Sequence, residues 1–290
     1  MSGMSSCSDV SRTLGEPIGG TAVVETTHWL MIQVNEGWAR KTPDAAPLEG
    51  RVRAHLDSAL AAFSGARLQL LRRPCESTGV VVMVAHCGAD SGALYRLQLP
   101  DIESLLSLDL VAFMANGSGG ELIEESVFLV CTHGIRDRCC AKLGMPVYQR
   151  LAQERGEQVW QTTHLGGHRF AATMVVLPQG LQFGRVTAAE IPDMLAALDQ
   201  DRIYSLERFR GRVAKSRLAQ VAEAHVREAQ SLVGLCDVVC ESSGSDLVCM
   251  VKGAPVRIQL TAKPHAQPRA NSCGDQLLKS PQVYSVSASE

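Results

Sequence analysis

The chain has 290 residues, of which 46% are hydrophobic and 20% charged, a composition typical of a globular protein with a buried core. A formal net charge of −2 does not indicate a nucleic-acid-binding surface, and no apolar run reaches the roughly 18 residues that a membrane span needs. The polar start lacks the order of a secretory signal, so the sequence predicts a cytoplasmic protein with no nucleic-acid or membrane partner.

The first 117 residues alternate between strand and helix patterns. Residues 1–20 are rich in Ser and Gly, which predicts a disordered N-terminal tail. Residues 21–117 are predicted to form an N-terminal α/β domain, because a strand pattern over 23–34 precedes a helix pattern over 48–63 and three further strands. This alternation is typical of helices layered on a sheet.

The middle and the end of the chain carry different patterns. Residues 118–202 show the order strand, helix, strand, hairpin, helix, which is the order of a thioredoxin-like unit. Residues 203–290 are predicted to form a C-terminal α+β segment, in which an amphipathic helix with Leu218 and Val226 on its core face precedes short strands. The sequence therefore predicts an α/β protein: a thioredoxin-like domain with a flanking N-terminal α/β layer and a small C-terminal segment.

Ten cysteines are a high number for a cytoplasmic chain. In a reducing compartment, clustered cysteines more often indicate metal binding or redox chemistry than a disulfide framework. Cysteines outside such clusters usually behave as small apolar residues. On that ground Cys236, Cys240 and Cys249 are expected to be core thiols, and Cys273 is given no role.

Two pairs of metal-binding residue types stand in the middle domain. Its first strand leads into "VCTHGIRDRCC", where Cys131 and Cys140 are separated by eight residues and Cys139 is a neighbouring alternative to Cys140. Its second strand leads into "WQTTHLGGHRF", where three residues separate His164 from His168. Because a thioredoxin-like layer places these two strand ends side by side, the two pairs are predicted to meet.

Two thiols and two imidazoles are donors for zinc or for an iron–sulfur cluster, whereas hard cations prefer oxygen ligands. Structural zinc sites usually use Cys pairs with about two to four intervening residues. The wider spacing between Cys131 and Cys140 favours a loop around something larger than one ion. Rieske centres take one Cys and one His from each of two loops, so the segregated pairs exclude a Rieske motif.

Other residues of the two loops are candidates for supporting roles. Gly166 and Gly167 permit positive φ and allow the backbone to approach a cofactor. His133 is a candidate for a hydrogen bond to a ligand, although a loop histidine is more often solvated. Arg136 and Arg169 flank the pairs, and their charge would stabilise a reduced cluster or attract an acidic redox partner, with a local ion pair as the alternative.

Several segments match a known protein family: "CTHGIRDRCCAKLGMPVYQRL", "VWQTTHLGGHRFAATMVVLPQGLQFGRV", the early "GEPIGGTA" with "NEGWARK", and the late "SCGD". Through them most of the chain resembles the sucrase/ferredoxin-like family. The resemblance implies a thioredoxin-like ferredoxin domain that acts in electron transfer, with a [2Fe–2S] cluster on Cys131, Cys140, His164 and His168. We find no carboxylate pair that would indicate sucrase, that is glycosidase, chemistry.

The expected function is that of a one-electron carrier for an unidentified redox partner protein, rather than a stand-alone enzyme. Because an imidazole ligand has a second nitrogen that can titrate, reduction is predicted to be coupled to proton uptake at His164 or His168. The reduction potential would then fall as the pH rises. Two alternatives stay open: a thiol–disulfide oxidoreductase with Cys139 or Cys140 as nucleophile, and a structural zinc protein.

Overall fold

The computed structural model of the chain describes residues 6–41, 48–74, 79–88, 92–243 and 246–289. Its elements up to residue 122 are, in chain order, α1 (Cys7–Thr13), β1 (His28–Gln33), α2 (Gly50–Ala61), β2 (Ala66–Arg72), β3 (Val80–Cys87), β4 (Gly92–Leu99), a 3₁₀ turn (Glu103–Ser107), α3 (Leu110–Asn116) and β5 (Glu121–Leu122).

The elements of the middle segment are β6 (Val127–Cys131), α4 (Arg138–Arg155), β7 (Val159–Thr162), β8 (Met174–Leu177), β9 (Leu181–Phe183) and α5 (Ile191–Leu198), with short 3₁₀ turns at Gly156–Gln158, His168–Phe170 and Ala188–Glu190. The last segment contains β10 (Phe209–Arg212), α6 (Arg217–Gln230), β11 (Val238–Ser243), β12 (Asp246–Val251), β13 (Ala254–Pro264) and β14 (Gln282–Ser289).

Ten of these strands form one mixed sheet in the order β10-β9-β8-β6-β7-β2-β1-β3-β4-β5. In its first part, β1 and β2 are parallel neighbours connected through α2, and β3 and β4 continue antiparallel on the other side of β1. In its second part, β6 and β7 are parallel neighbours connected through α4. Strands β8 and β9 continue antiparallel on the other side of β6. The predicted α/β class is confirmed, and the two parts share one topology that their sequences do not reveal.

The two parts of the sheet join through strands β2 and β7, which are antiparallel to each other. Among the described residues this junction consists of two residue pairs, Leu71 with Thr162 and Arg72 with Gln161, and they lie near the carboxyl ends of both strands. The loop after β1 therefore approaches the loop after β6, and His133 of the second loop is hydrogen-bonded to the Ala39 carbonyl of the first.

Strand β6 is buried on both faces, which explains its continuous apolar pattern. Phe128 and Val130 pack with α4, β8 and β9 in one apolar cluster. Leu129 and Cys131 belong to a second cluster that extends to Trp29 of β1. Cys131, the last residue of β6, therefore lies in a buried, apolar environment where the following loop begins.

Residues 6–20 are ordered, and the prediction of a disordered tail is wrong for them. Helix α1 begins with a capping box between Ser6 and Asp9, and Ser8 and Ser11 are buried. Ser8 Oγ donates to the Ala171 carbonyl at 3.4 Å, and Arg12 Nη2 donates to it at 3.3 Å. A composition rich in Ser and Gly does not by itself predict disorder, because small polar side chains also allow a helix to pack closely on a loop.

The C-terminal segment divides between two sheets. Strand β10 extends the large sheet beside β9, while β11 to β14 form a separate antiparallel sheet. The buried apolar residues of α6 include Ala219, Ala222 and Val226, whereas Leu218 is 38% exposed, so its predicted place in the core is wrong. No helix in the described ranges is both long enough and apolar enough to cross a membrane.

Two of the late cysteines form a disulfide. Cys240 and Cys249 are buried, as expected, but they are joined to each other across directly paired positions of β11 and β12. Cys236 is exposed and free, so the expectation of a core thiol fails there too. Facing cysteines on paired strands are brought together by strand register, which spacing along the chain does not reveal.

Candidate metal centre

The two loops that carry the predicted ligands start from neighbouring strand ends. Cys131, the last residue of β6, is paired in register with Thr162, the last residue of the parallel strand β7. Helix α4 follows the first loop and brings Cys140 back toward the same place, with Asp137 as its N-cap. The expectation that the cysteine and histidine loops lie side by side is therefore confirmed.

Cys131, Cys140 and His164 form a compact group of candidate ligands. One ligand atom from each lies within 4.8 Å of the other two, and Cys140 Sγ is 3.8 Å from His164 Nδ1. Both sulfurs are buried and His164 is half-buried. The Cys139 thiol lies outside this group because neighbouring residues of a helix point about 100° apart.

His168 lies beside this group rather than inside it. Its ring stacks on that of His164, with 4.8 Å between the ring centroids. Within the described residues its Nδ1 atom is buried and has no hydrogen-bond partner. Burial, followed by the charge of His164, lowers the pKa of His168, which favours the neutral ring. A neutral imidazole with an unpartnered buried nitrogen fits the position of a metal ligand.

The two buried cysteines differ in acidity. Hydrogen bonding from the Cys140 thiol lowers the pKa of Cys131 well below its ordinary value, and His164 supports this against the effect of burial. Hydrogen bonding to the Cys131 sulfur, together with burial, raises the pKa of Cys140. Cys131 is therefore the more acidic thiol of the pair, and metal binding would release the proton of Cys140.

His133 connects the cysteine loop, the histidine loop and the loop after β1. Its Nδ1 accepts a hydrogen bond from the His164 backbone N–H at 3.2 Å, so its Nε2 carries the proton and donates to the Ala39 carbonyl at 2.9 Å. The Trp38 ring packs edge-on against it. His133 is thus not solvated: it positions the backbone of His164, and burial lowers its pKa.

Gly166 and Gly167 have the positive φ angles that the sequence indicates, 87° and 69°. Their closest neighbours are not on the cysteine loop, however. A Cβ on Gly167 would lie 2.5 Å from Arg210 Nη2, and one on Gly166 would lie 3.3 Å from Val23 Cγ1. Arg210 is buried and donates from Nη1 to the Gly166 carbonyl at 2.9 Å. The glycines therefore allow the histidine loop to pack on Arg210.

The two flanking arginines have different environments. Arg169 Nε donates to both carboxylate oxygens of the buried Glu16, at 2.8 and 3.1 Å. Arg136 is half-buried, and among the described residues no ion pair joins it to the adjacent Asp137. Burial is the largest cause of the lowered pKa of both His133 and His168, and the positive charge of Arg136 is a smaller cause in the same direction. Arg136 therefore keeps a positive charge close to the histidines.

Gly144 of α4 sets the separation between the helix and the end of β6. A Cβ at this position would lie 2.1 Å from the Cys131 carbonyl oxygen. We expect Gly144→Ala to push α4 away from Cys131, with a loss of about 1–3 kcal/mol in the free energy of unfolding. Urea denaturation measures this loss. The exposed position Gln149 on the same helix provides the control, where Gln149→Ala should change the value by less than about 0.5 kcal/mol. Equal stability of the two variants would contradict the role of Gly144.

Sequence reasoning missed several residues around the site. No sequence motif predicts the contacts of Glu16 or Gly144, because the residues that they contact are not their neighbours in the sequence. Cys139 lies against Cys7 and Cys273, two cysteines for which the sequence predicts no site. The segments "GEPIGGTA" and "SCGD", which support the family resemblance, contain Glu16 and Cys273 and were the available signal.

Comparisons with known proteins assign the chain to one family. A family model described as Sucrase/ferredoxin-like matches residues 20–211, which include all four predicted ligands. Among curated proteins, the chain is similar to Altered inheritance of mitochondria protein 32 from Meyerozyma guilliermondii, with 29% identity over 102 residues. That match covers 31% of this chain and 36% of the relative, so it spans about a third of either protein. No solved structure matches.

Proposed function

This chain belongs to the sucrase/ferredoxin-like family, and we propose that it is an electron-transfer protein whose [2Fe–2S] cluster is held by Cys131, Cys140, His164 and His168. The observation that carries the proposal is the compact Cys131–Cys140–His164 group beside the unpartnered Nδ1 of His168. When bound, such a cluster accepts and releases one electron.

The surrounding residues determine from which side electrons can enter. Both cysteines are buried, whereas His164 is half-buried, so a redox partner reaches the site from the histidine loop. Arg136 places a positive charge on this side, which favours a partner with an acidic surface. His133 keeps the backbone of His164 in place through its hydrogen bond.

The proposal includes a thioredoxin-like arrangement for the middle segment. It is supported by the parallel pair β6 and β7 joined through α4, the hairpin β8–β9 beside β6, and the closing helix α5. The first part of the sheet has the same order in β1 to β4, with α3 as its closing helix. We interpret the chain as two such units, of which the second carries the candidate ligands.

Purification without oxygen, followed by metal analysis, absorption and electron paramagnetic resonance spectroscopy, tests the proposal. We expect iron and acid-labile sulfide in equal amounts, a red-brown colour and a resonance signal after reduction. A colourless protein with zinc on these four ligands supports the structural zinc alternative. A metal-free protein with a titratable thiol of low pKa supports the oxidoreductase alternative, and either result overturns the electron carrier.

The double variant His164→Cys, His168→Cys tests the role of the histidines. Imidazole ligands raise the potential of a [2Fe–2S] centre relative to thiolates, so this variant should keep iron, show a shifted absorption spectrum and have a lower reduction potential. Redox titration measures the change. His225 is exposed on α6, and His225→Cys should keep the wild-type potential. An unchanged potential in the double variant would exclude these histidines as ligands.

The proton coupling predicted at His164 or His168 stays a prediction. Its measure is the reduction potential across the pH range in which the imidazoles titrate. A potential that falls as the pH rises supports coupling, and a constant potential contradicts it.

A further inference from the structure

Three cysteines that the proposed electron carrier does not use meet at one point of the molecule. Cys139 Sγ is 3.4 Å from Cys273 Sγ and 3.6 Å from Cys7 Sγ, and Cys7 Sγ is 3.5 Å from Cys273 Sγ. The carboxylate oxygens of Asp137 are 3.8 and 3.9 Å from Cys7 Sγ. One ligand atom from each of these four residues lies within 4.8 Å of all the others. We propose that Cys7, Cys139, Cys273 and Asp137 bind a second metal ion, a single divalent cation of the zinc type.

The distances fit one tetrahedral ion. Zinc–sulfur bonds of about 2.3 Å in a tetrahedron place the sulfurs about 3.8 Å apart, close to the three sulfur separations observed here. A two-iron cluster would divide its four ligands into two pairs on different irons, with longer distances between the pairs. The near-equal distances among Cys7, Cys139 and Cys273 therefore favour a single ion.

The donor set points to the same class of metal. Three thiols select soft or borderline cations such as Zn²⁺, whereas Mg²⁺ and Ca²⁺ require more oxygen ligands. Cys7, Cys139 and Asp137 are buried and Cys273 is half-buried. Four protein ligands in a mostly buried site are typical of structural zinc. A catalytic zinc site has three protein ligands and leaves one position open for water.

Asp137 is held in place by neighbouring groups. Its Oδ1 accepts from the Cys139 backbone N–H at 2.9 Å, and its Oδ2 accepts from Ser272 Oγ at 2.9 Å and from the Cys273 backbone N–H at 2.8 Å. Such hydrogen bonds orient a ligating carboxylate. Arg138 interacts with the Cys273 thiol, which raises the pKa of Arg138 and places a positive charge beside a site rich in negative donors.

The four ligands come from distant parts of the sequence. Cys7 begins α1, Asp137 and Cys139 stand at the start of α4, and Cys273 belongs to the connection between β13 and β14. An ion at this point ties the N-terminal helix and the C-terminal segment to the helix that also carries Cys140. Because such a site does not exist in the unfolded chain, the binding energy of the ion stabilises the folded one.

The zinc and iron contents of the purified 290-residue chain and of single variants test the proposal. We expect about one zinc per chain in the wild type. Cys7→Ala and Cys273→Ala should lose zinc and keep iron, whereas Cys131→Ala should lose iron and keep zinc. Cys236 is free and exposed, and Cys236→Ser should keep both metals. Because the two metals are counted separately, failure of the iron cluster does not affect the outcome for zinc.

Two further measurements apply if an alanine variant does not fold. Asp137→Asn keeps the helix cap, since Asn is also a favoured N-cap residue, and should weaken Zn²⁺ binding by at least about 10-fold in competition with a chelator. Co²⁺ added to the zinc-depleted wild type should give the thiolate-to-cobalt absorption and the band pattern of a tetrahedral site.

Three results would overturn the proposal. The first is a wild-type chain that holds no zinc and gives no thiolate-to-cobalt absorption with Co²⁺. The second is a disulfide between any two of Cys7, Cys139 and Cys273, mapped by mass spectrometry in the freshly purified metal-free protein. The third is zinc that disappears in Cys131→Ala and remains in Cys273→Ala, which would place that zinc at the first site.

Discussion

The Cys140→Ala variant is expected to lose iron, whereas Cys139→Ala should retain it. The two cysteines are neighbours in the sequence, but only the Cys140 sulfur lies in the group with Cys131 and His164. The sulfur of Cys139 points instead to Cys7 and Cys273. Loss of a directly bound ligand should weaken metal binding by more than the roughly 10- to 100-fold that supporting residues cost.

Iron and acid-labile sulfide per chain, together with visible absorption, measure this difference. Cys131→Ala should behave as Cys140→Ala does, and the exposed Cys236 provides the control variant Cys236→Ser. Iron that is retained in Cys140→Ala and lost in Cys139→Ala would reverse the assignment. That result would also remove the basis for a separate zinc site.

Glu16→Gln is expected to destabilise the protein by about 3–5 kcal/mol, because it leaves the buried guanidinium of Arg269 and the half-buried one of Arg169 without their counter-charge. The Glu16 side chain is 3% exposed and is paired with Arg269, which is 1% exposed, and with Arg169. Ser11 Oγ also donates to this carboxylate at 2.7 Å. The same carboxylate thus connects the N-terminal segment, the histidine loop and the C-terminal segment.

Urea denaturation of Glu16→Gln and the wild type provides the measurement. The control is Asp57→Asn, which breaks an exposed pair with Arg53 on α2 and should cost no more than about 1 kcal/mol. An effect of Glu16→Gln as small as that of Asp57→Asn would contradict the argument.

The Glu16 ion pairs also predict how stability depends on pH. Burial alone raises the pKa of the Glu16 carboxyl, but Arg269 and Arg169 outweigh it, and the pKa lies below its ordinary value. A carboxyl with a lowered folded-state pKa stabilises the protein above its unfolded-state pKa, ~4.3 for Glu, and loses this contribution as the pH falls through the folded-state value. The free energy of unfolding should therefore fall less steeply with acidification in Glu16→Gln than in the wild type. Parallel curves would contradict this.

The positions of most elements could be predicted from the sequence. Apolar patterns locate β1 to β4, α2 and the elements from β6 to α5, because burial of one face imposes a period on the chain and burial of both faces, as in β6, gives a continuous apolar run. Where a segment packs through small residues, periodicity gives no signal. Helix α1 was missed for that reason, and Ala219 and Ala222, rather than Leu218, lie in the core face of α6.

The sequence by itself determined the composition of the candidate site: two cysteines and two histidines in two loops that follow parallel strands. It did so because ligand pairs on one loop and the strand pattern before them are local properties. Only the tertiary structure decided which thiol of Cys139 and Cys140 lies beside Cys131, since this depends on the direction in which each side chain leaves α4. The structure alone also brought Cys7 and Cys273 to Cys139, because contacts across more than a hundred residues depend on how the whole chain packs.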